Sequence, residues 1–245
     1  MAPRVRSRSQ LRVGRGPQLA GARLGRRHQR ARADCYPLIA GVPSGCNGQP
    51  ATRPAAESGR QASPGPSGIV RIVEASAADS DAVLGVERAA FAREDEAALV
   101  AALLQDPTAQ PSVSLLAFLA NKPVGHGLFT KAVLADASRH VSAAILAPLA
   151  VVPGFQRRGV GRALIEHGAS MLAASGVRLI FVLGDPAYYT RCGFAPAGPH
   201  GLRAPYPIVP EEAWMVRPLV PNVLGSGTGV ITCAECLAKP EYWRE

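Results

Sequence analysis

The sequence predicts an α+β fold, with a central mixed β-sheet flanked by helices and preceded by a disordered basic tail. From residue 69 onward, apolar patterns typical of strands and helices follow one another in the order βααβββαβαββ. One helix connects two apolar strands, and several other strands follow each other directly. This arrangement indicates a sheet with both parallel and antiparallel neighbours.

Charge and composition separate the tail from the folded part. Residues 1–68 contain twelve arginines, no lysine and two acidic residues, a net charge of +10, whereas residues 69–245 have a net charge of −1. The tail is rich in Gly, Pro and Ser and has little apolar periodicity, so we expect it to be disordered. The chain is 47% hydrophobic over 245 residues, enough for a sizeable core. Its longest apolar runs, 147–153 and 179–183, are too short to span a membrane.

The tail and the cysteines limit the cellular roles of the chain. We favour a solvated extension over a nucleic-acid-binding or acidic-surface-binding segment and over a targeting peptide, because no apolar signal-peptide stretch follows the basic start. Five cysteines at no regular spacing indicate a reducing compartment, so we expect a cytoplasmic protein. Cys233 and Cys236 have the spacing of half a zinc site. Because the other half is missing, we expect no metal.

The folded part begins with a strand and two helices. Residues 69–74 alternate apolar and polar side chains, which predicts a short strand. Ser76 and Asp79 have the spacing of a capping box, so a helix is expected to follow. A second helix is predicted over residues 94–106, with acids in its first turn and Pro107 after its end.

Three strands are predicted next. Runs over residues 112–120 and 124–134 are joined by residues 121–123, Asn-Lys-Pro, and should form an antiparallel hairpin. Residues 141–152 are a long apolar run that contains Pro148. Proline removes a donor from the hydrogen-bond ladder, so we expect this strand to be irregular where neighbouring strands separate.

A long helix follows Pro153. Apolar residues at spacings of three and four from Val160 define one buried face, on which we also place His167. Gly176 is expected to end this helix. The face should pack against the sheet.

The remaining pattern is shorter and weaker. Cys192 ends a predicted short helix and is expected to be structural, because apolar surroundings raise the pKa of a thiol rather than activate it. We predict a domain over residues 69–220 and a weakly patterned appendage over residues 221–245. The other elements of this part are a strand over 177–183, the short helix over 186–192, and strands over 194–197 and 213–219.

The segment between the third strand and the long helix has the features of an anion site. Gly159 and Gly161 let the backbone turn, and the start of a helix contributes free N–H groups and the positive end of its dipole. A dinucleotide fingerprint would need a third glycine where Leu164 stands, and a P-loop would need Gly-Lys-Ser/Thr. Three arginines lie in the same stretch, which suits a pyrophosphate.

Two motifs resemble one known superfamily. Residues 149–162, Leu-Ala-Val-Val-Pro-Gly-Phe-Gln-Arg-Arg-Gly-Val-Gly-Arg, resemble the phosphate loop of the GNAT acyl-CoA transferases, Gln/Arg-x-x-Gly-x-Gly/Ala after a strand ending Leu-x-Val-x-Pro. Residues 185–194 resemble the later GNAT motif, a short helix with Tyr four residues before Gly-Phe. Together with residues 201–207 they are similar to the bacterial YhbS-like predicted N-acetyltransferases. The resemblance covers about residues 69–220.

The resemblance implies a GNAT-like fold that binds acetyl-CoA. Main-chain groups of residues 149–151 would form hydrogen bonds with the pantetheine arm, at the place where Pro148 suggests that the sheet opens. Amides of residues 157–162 would hold the pyrophosphate. Asp185 stands where many relatives have an Asn that contacts coenzyme A, although it could instead cap the short helix. The implied donor-binding residues are Leu149, Ala150, Val151, Gln156, Arg157, Arg158, Gly159, Val160, Gly161, Arg162 and Asp185.

Two residues are candidates for catalysis. Tyr189 matches the superfamily's general acid, which protonates the coenzyme A thiolate, the alternative being a half-buried aromatic that packs under the sheet. We expect Tyr188 to be a packing residue. His126 lies between two glycines and could reach the acceptor site, the alternative being a satisfied or exposed histidine. GNAT proteins often have a Glu on the fourth strand, but residues 141–152 contain no carboxylate. The general base is therefore unassigned.

These expectations define two candidate functions. The first is an N-acetyltransferase that moves the acetyl group of acetyl-CoA directly to an amine, working as a monomer or homodimer. The second is a non-catalytic acyl-CoA-binding module whose basic tail engages RNA or DNA. The Tyr189 motif and the phosphate loop favour the enzyme, whereas the missing base would favour the module. The acceptor is open among small amines, amino acids, protein amino groups and modified RNA.

Overall fold

The computed structural model describes residues 69–134, 141–225 and 227–243. The tail predicted over residues 1–68, with Cys35 and Cys46, lies outside the described residues. Among the helices of the described part, none combines the length and the apolar character needed to cross a membrane.

The described residues form nine strands and four α-helices, in an order that follows the sequence prediction up to residue 196. The helices are α1 (Ser80–Phe91), α2 (Asp95–Gln105), α3 (Val160–Ala174) and α4 (Pro186–Tyr189). The strands are β1 (Arg71–Glu74), β2 (Val113–Leu119), β3 (Lys122–Leu134), β4 (Ser142–Val151), β5 (Leu179–Leu183), β6 (Ala195–Pro196), β7 (Leu202–Arg203), β8 (Trp214–Pro218) and β9 (Gly229–Thr232).

The main sheet has the strand order β1-β2-β3-β4-β5-β8-β6. Its neighbours are antiparallel except β4 and β5, which are parallel and connected through α3. One core lies between the sheet and helices α1 and α2, and a second core lies between the sheet and α3. The predicted mixed sheet flanked by helices is therefore confirmed.

The start of the folded part has the predicted capping box. The Ser76 amide donates to Asp79 Oδ2 at 2.9 Å, and the Ser76 hydroxyl donates to the same oxygen at 2.7 Å. These bonds satisfy donors that a helix start leaves free. Helix α1 follows after a single 3-10 turn.

The β2–β3 hairpin turn differs from the prediction. Ala120 and Asn121 alone form the turn, with φ of 48° and 63°, and β3 already begins at Lys122. Two consecutive residues with positive φ match the right-handed twist of the paired strands. Pro123 lies inside β3, opposite Phe118, where the register of the hairpin shifts. A proline is tolerated at such a bulge because the ladder is already interrupted there.

Helix α3 packs against the sheet with a face that is rotated from the predicted one. His167 is exposed, so its assignment to the core is wrong. The centre of the buried face is instead Gly168, where an added Cβ would lie 2.3 Å from the Phe129 ring. The predicted end is confirmed, since Gly176 has a φ of 84° and donates its amide to Ala173.

The segment after residue 220 contacts the rest of the fold extensively. Strand β9 pairs with β3 and also with the short strand β7, neither of which pairings was predicted. Trp243 is 1% exposed and packs edge-on against Trp214, with ring centroids 5.6 Å apart. Leu237 and Ile231 belong to the same core as α1 and α2. The division at residue 220 stays a prediction.

Candidate functional site

The sheet opens between β4 and β5. The two strands pair only from Ala143 to Ile145, opposite Leu179 to Phe181, although β4 continues to Val151. Beyond Ile145 the pairing of β4 with β3 is also irregular, at the position of Phe129. The irregularity predicted around Pro148 is thus present, and the end of β4 has an edge that β5 does not cover.

The register with β3 determines which main-chain groups of β4 face this opening. Val152 donates its amide to the Val124 carbonyl at 2.9 Å, and His126 lies opposite Ala150. Along an antiparallel ladder, every second residue of a strand forms hydrogen bonds with the partner strand. Val152 is bonded to β3, so Ala150, two residues earlier, also directs its main-chain groups to β3. Leu149 and Val151 direct theirs to the opening. The Val151 carbonyl already accepts a hydrogen bond from the Gln156 side chain, at 3.1 Å.

The loop between β4 and α3 leads directly to free backbone amides. Arg157 and Gly159 have φ of 58° and 82°, and the first bond inside α3 is donated by Ala163 to the Gly159 carbonyl. The amides of residues 160–162 consequently have no acceptor within the helix. A Cβ at Gly159 would meet no atom within 4 Å, so the helix start is open on this side. Unpaired amides and the positive end of the dipole favour a phosphate here.

Tyr188 packs over the first turn of α3. A Cβ at Gly161 would lie 2.5 Å from the Tyr188 hydroxyl oxygen, so only glycine permits this approach. Tyr188 is half-buried and in contact with the Tyr189 ring at 5.0 Å between centroids. Burial, and then the neighbouring Cys192 thiol, raises the pKa of Tyr188.

Tyr189, the last residue of α4, is completely buried. Its ring lies edge-on to Phe194, with centroids 5.5 Å apart. Its hydroxyl has no hydrogen-bond partner among the described residues. A buried hydroxyl without a partner is costly, so this group has an unused capacity to bond a ligand atom. Burial also raises the pKa of Tyr189 well above 10, which keeps the phenol protonated at neutral pH.

Two neighbours of Tyr189 have structural contacts. Asp185 accepts a hydrogen bond from the Ala187 amide at 2.8 Å and so caps α4, as one of its two predicted roles requires. Cys192 is 3% exposed, and burial raises the pKa of its thiol, as the sequence predicted. Arg217 connects this region to α3, because it bonds both the Cys192 carbonyl and Glu166.

His126 lies on the opposite face of the sheet, beneath α1. Its Nδ1 is 2.5 Å from Glu87 Oε1, and its Nε2 is 3.0 Å from the Ser114 hydroxyl. The histidine is fully buried and hydrogen-bonded at both ring nitrogens. This is the alternative in which His126 is a histidine with complete hydrogen bonds. Sequence reasoning missed Glu87 and Ser114. Glu87 had one available signal, since it lies four residues after Val83 on the apolar face of α1.

The described residues show no metal cluster. Within residues 69–134, 141–225 and 227–243, no three His, Cys, Asp or Glu side chains are grouped to hold an ion. Cys233 and Cys236 are free thiols, and burial raises the pKa of Cys233 to about 11.

Comparison with known proteins relates this geometry to a family. Residues 112–196 match the family described as Acetyltransferase (GNAT) domain. The chain is 45% identical over 161 residues to the uncharacterized N-acetyltransferase YjhQ of Escherichia coli K12, covering 64% of this chain and 88% of YjhQ. It is 37% identical over 86 residues to the uncharacterized N-acetyltransferase YhbS of the same strain, a match that spans about half of YhbS (51%) and 35% of this chain.

Solved structures have the same fold. The crystal structure of YhbS from Escherichia coli in complex with CoA superposes with a TM-score of 0.65 and 27% identity, over 71% of this chain and 94% of YhbS. A GNAT acetyltransferase from Brucella melitensis in complex with acetyl-CoA gives a TM-score of 0.53 at 22% identity, over 69% of this chain and 98% of that protein, which shows the fold alone. On the match to nearly all of YjhQ and on the shared fold, the chain belongs to the GNAT family of acetyltransferases.

Proposed function

We propose that the protein transfers the acetyl group of acetyl-CoA directly to the amine of an acceptor, without an acyl-enzyme. The observation that supports this most strongly is the uncovered edge of β4 next to a helix start whose amides are free. An extended pantetheine arm and a pyrophosphate need these two features side by side. CoA in the YhbS structure supports the choice of donor.

The donor contacts follow from the geometry of the opening. Leu149 and Val151 offer main-chain groups to the pantetheine arm, while Gln156 holds the loop against the strand end. The amides of residues 157–162 surround the pyrophosphate, and the exposed arginines of this stretch neutralise its charge. Asp185 contributes by capping α4, which supports Tyr189.

Tyr189 acts as the proton donor in this proposal. The amine nitrogen attacks the thioester carbonyl carbon, the carbon–sulfur bond breaks, and the departing thiolate takes the phenolic proton of Tyr189. A phenol with a raised pKa is protonated before the reaction, as this role requires. The acceptor is a neutral primary amine.

The free thiols at Cys192, Cys233 and Cys236 fit a reducing compartment, which supports a cytoplasmic location.

Donor binding is tested with two glycine variants of the full-length chain. Gly159→Glu places a carboxylate where we expect the pyrophosphate, so calorimetry should show acetyl-CoA binding lost. Gly176→Glu is the matched control, because Gly176 has a φ of 84° and open space around it, yet lies at the far end of α3. Equal binding by the two variants would contradict the donor site.

Turnover is tested with two neighbouring tyrosines. We expect Tyr189→Phe to lower amine-dependent thiol release by roughly 10²-fold or more, because the proton donor is removed. Tyr188→Phe should retain turnover, and both variants should still bind acetyl-CoA. Tight binding by the unaltered protein without thiol release on any amine would instead favour the acyl-CoA-binding module.

A further inference from the structure

A buried chain of three polar side chains lies between α1 and the sheet. Ser114 on β2, His126 on β3 and Glu87 on α1 are bonded in sequence, at 3.0 Å and 2.5 Å. His126 and Glu87 are fully buried, and Ser114 is 7% exposed. Three polar groups this deep are costly unless their bonds are complete.

These three hydrogen-bonded side chains leave one atom without a hydrogen-bond partner. An ionised Glu87 can only accept, so His126 Nδ1 donates to Oε1, and Nε2 then accepts the Ser114 hydroxyl proton. The two hydrogen bonds together fix the orientation of the Glu87 carboxyl group. Its second oxygen, Oε2, is buried and has no hydrogen-bond partner among the described residues. A donor from a ligand would remove that deficit.

Glu87 lies on the helix that covers β4, the strand whose uncovered edge is described above. Helix α1 packs across both β3 and β4. His126 lies directly opposite Ala150, between the two β4 residues whose main-chain groups face the opening. On this face β4 presents the small side chains of Ala147 and Ala150, and no residue from Ser142 to Val151 is titratable. The helix above β4 thus carries a buried carboxylate, whereas the strand itself has none.

The surroundings of Glu87 suit a proton acceptor. Burial raises its pKa, and the Glu96 carboxylate on α2 raises it further, whereas His126 on β3 lowers it. Glu96 is itself paired with Arg93 at 2.5 Å, and β4 contributes no charge. A carboxylate with a raised pKa removes a proton from an ammonium more readily than an ordinary one.

Resting on the acetyl transfer proposed above, we propose that Glu87 is the general base for the acceptor amine and that His126 and Ser114 are positioning residues for it. Glu87 Oε2 takes one proton from the ammonium form of the acceptor. The neutral amine then attacks, and its nitrogen loses a second proton to solvent as the carbon–nitrogen bond forms. The sulfur of the departing coenzyme A gains one proton from Tyr189, and solvent restores both groups afterwards. His126, a catalytic candidate from the sequence, therefore acts through Glu87.

The test compares acceptors that differ in basicity. Alkylamines are largely protonated at neutral pH and need a base, whereas hydroxylamine is largely neutral and needs it less. Glu87→Gln should lower kcat with primary alkylamines by roughly 10²- to 10⁴-fold and should affect hydroxylamine far less. Unaltered protein should gain activity as pH rises through the Glu87 titration, and Glu87→Gln should lose that rise. Thr130→Val, which removes another buried, unpartnered hydroxyl on β3, is the control and should retain activity.

Milder variants keep the proposal testable if Glu87→Gln does not fold. Ser114→Ala should shift the pH profile of kcat and leave the KM for acetyl-CoA unchanged, while Ser114→Thr, which keeps the hydroxyl, should restore the normal profile. Turnover by the unaltered protein with equal losses on both acceptor types, or an unshifted profile in Ser114→Ala, would overturn the base assignment alone. Acetyl-CoA binding without turnover on any amine would overturn the proposed function and the base together.

Discussion

Asp106 joins two distant parts of the chain through one carboxylate. Its Oδ1 accepts hydrogen bonds from the Thr108 amide and hydroxyl, at 2.7 Å and 2.6 Å, and its Oδ2 accepts the Cys236 amide at 3.0 Å. The Thr108 hydroxyl and the Cys236 amide lower the pKa of Asp106 most strongly. The end of α2 and the C-terminal segment therefore share a contact that depends on charge.

Asp106→Asn should reveal this dependence. A depressed pKa means that the ionised form stabilises the fold above the ordinary value of 3.8 and that this contribution disappears as pH falls below it. We expect the variant to have a lower Tm than the unaltered protein at pH 7, and the difference to shrink in acid. Thermal melts at several pH values measure this. A difference in Tm between the two proteins that stays constant down to pH 3 would show that the charge of Asp106 does not contribute to stability.

Individual site residues were predictable to different degrees. Tyr189 and Gly159 stand in motifs with fixed spacing, so they could be identified as site candidates without knowledge of packing. His167 was assigned to the buried face because it lies three residues after Leu164. On a helix, the same spacing also leads to positions at the exposed border of that face, where His167 lies. Glu87 and Ser114 are 27 residues apart in the chain and become neighbours of His126 only through packing between α1 and the sheet.

At the scale of elements, α3 and α1 each contain an interior glycine with a different role. Gly168 lies under the Phe129 ring, so a methyl group there would collide with aromatic atoms at 2.3 Å. Gly85 is on an exposed face of α1, where a methyl group would meet nothing within 4 Å. The first glycine is needed for close approach of helix and sheet, and the second is not.

The two alanine variants should change stability in opposite directions. Gly168→Ala should lower the free energy of unfolding by about 1–3 kcal/mol through overpacking. Gly85→Ala should raise it by about 0.5–1 kcal/mol, because alanine loses less backbone entropy in a helix. Urea denaturation of both variants gives the comparison. Stabilisation by Gly168→Ala would mean that Phe129 can move away without cost.

The longer elements were predicted from periodicity, whereas strands β7 and β9 were not predicted. Helices α1, α2 and α3 and strands β2 to β5 each contain at least five residues of regular pattern, and they occur where the sequence indicates. Strands β7 and β9 contain only two and four residues. They exist because they pair with each other and, for β9, with the end of β3.

At the scale of the whole molecule, the C-terminal segment completes the core beneath α1 and α2. Trp243 donates its indole N–H to the Leu237 carbonyl at 2.7 Å and packs on Trp214 from β8. Trp214 in turn stacks on Phe181 of β5, with centroids 5.2 Å apart. Residues after 220 therefore support the strand that borders the opening of the sheet.

Trp243→Ala tests that support. Removing a fully buried tryptophan should lower the free energy of unfolding by about 3–5 kcal/mol. Val209→Ala, at a side chain that is 76% exposed, is the control and should stay within about 0.5 kcal/mol of the unaltered protein. Denaturant unfolding measures both. A loss below 1 kcal/mol for Trp243→Ala would indicate that the segment is dispensable.

The edge-on pair of indoles, Trp214 and Trp243, also gives the protein an internal optical reporter. The chain has two tryptophans, and both lie in this one cluster, so all tryptophan emission originates there. Trp214 also borders a cavity of about 400 Å³, which Tyr206 and Glu211 line as well. A molecule that enters this cavity changes the polarity around the indole and shifts the emission. Ligands of this cavity can consequently be detected by fluorescence without a label, and Trp243→Phe assigns the signal to Trp214.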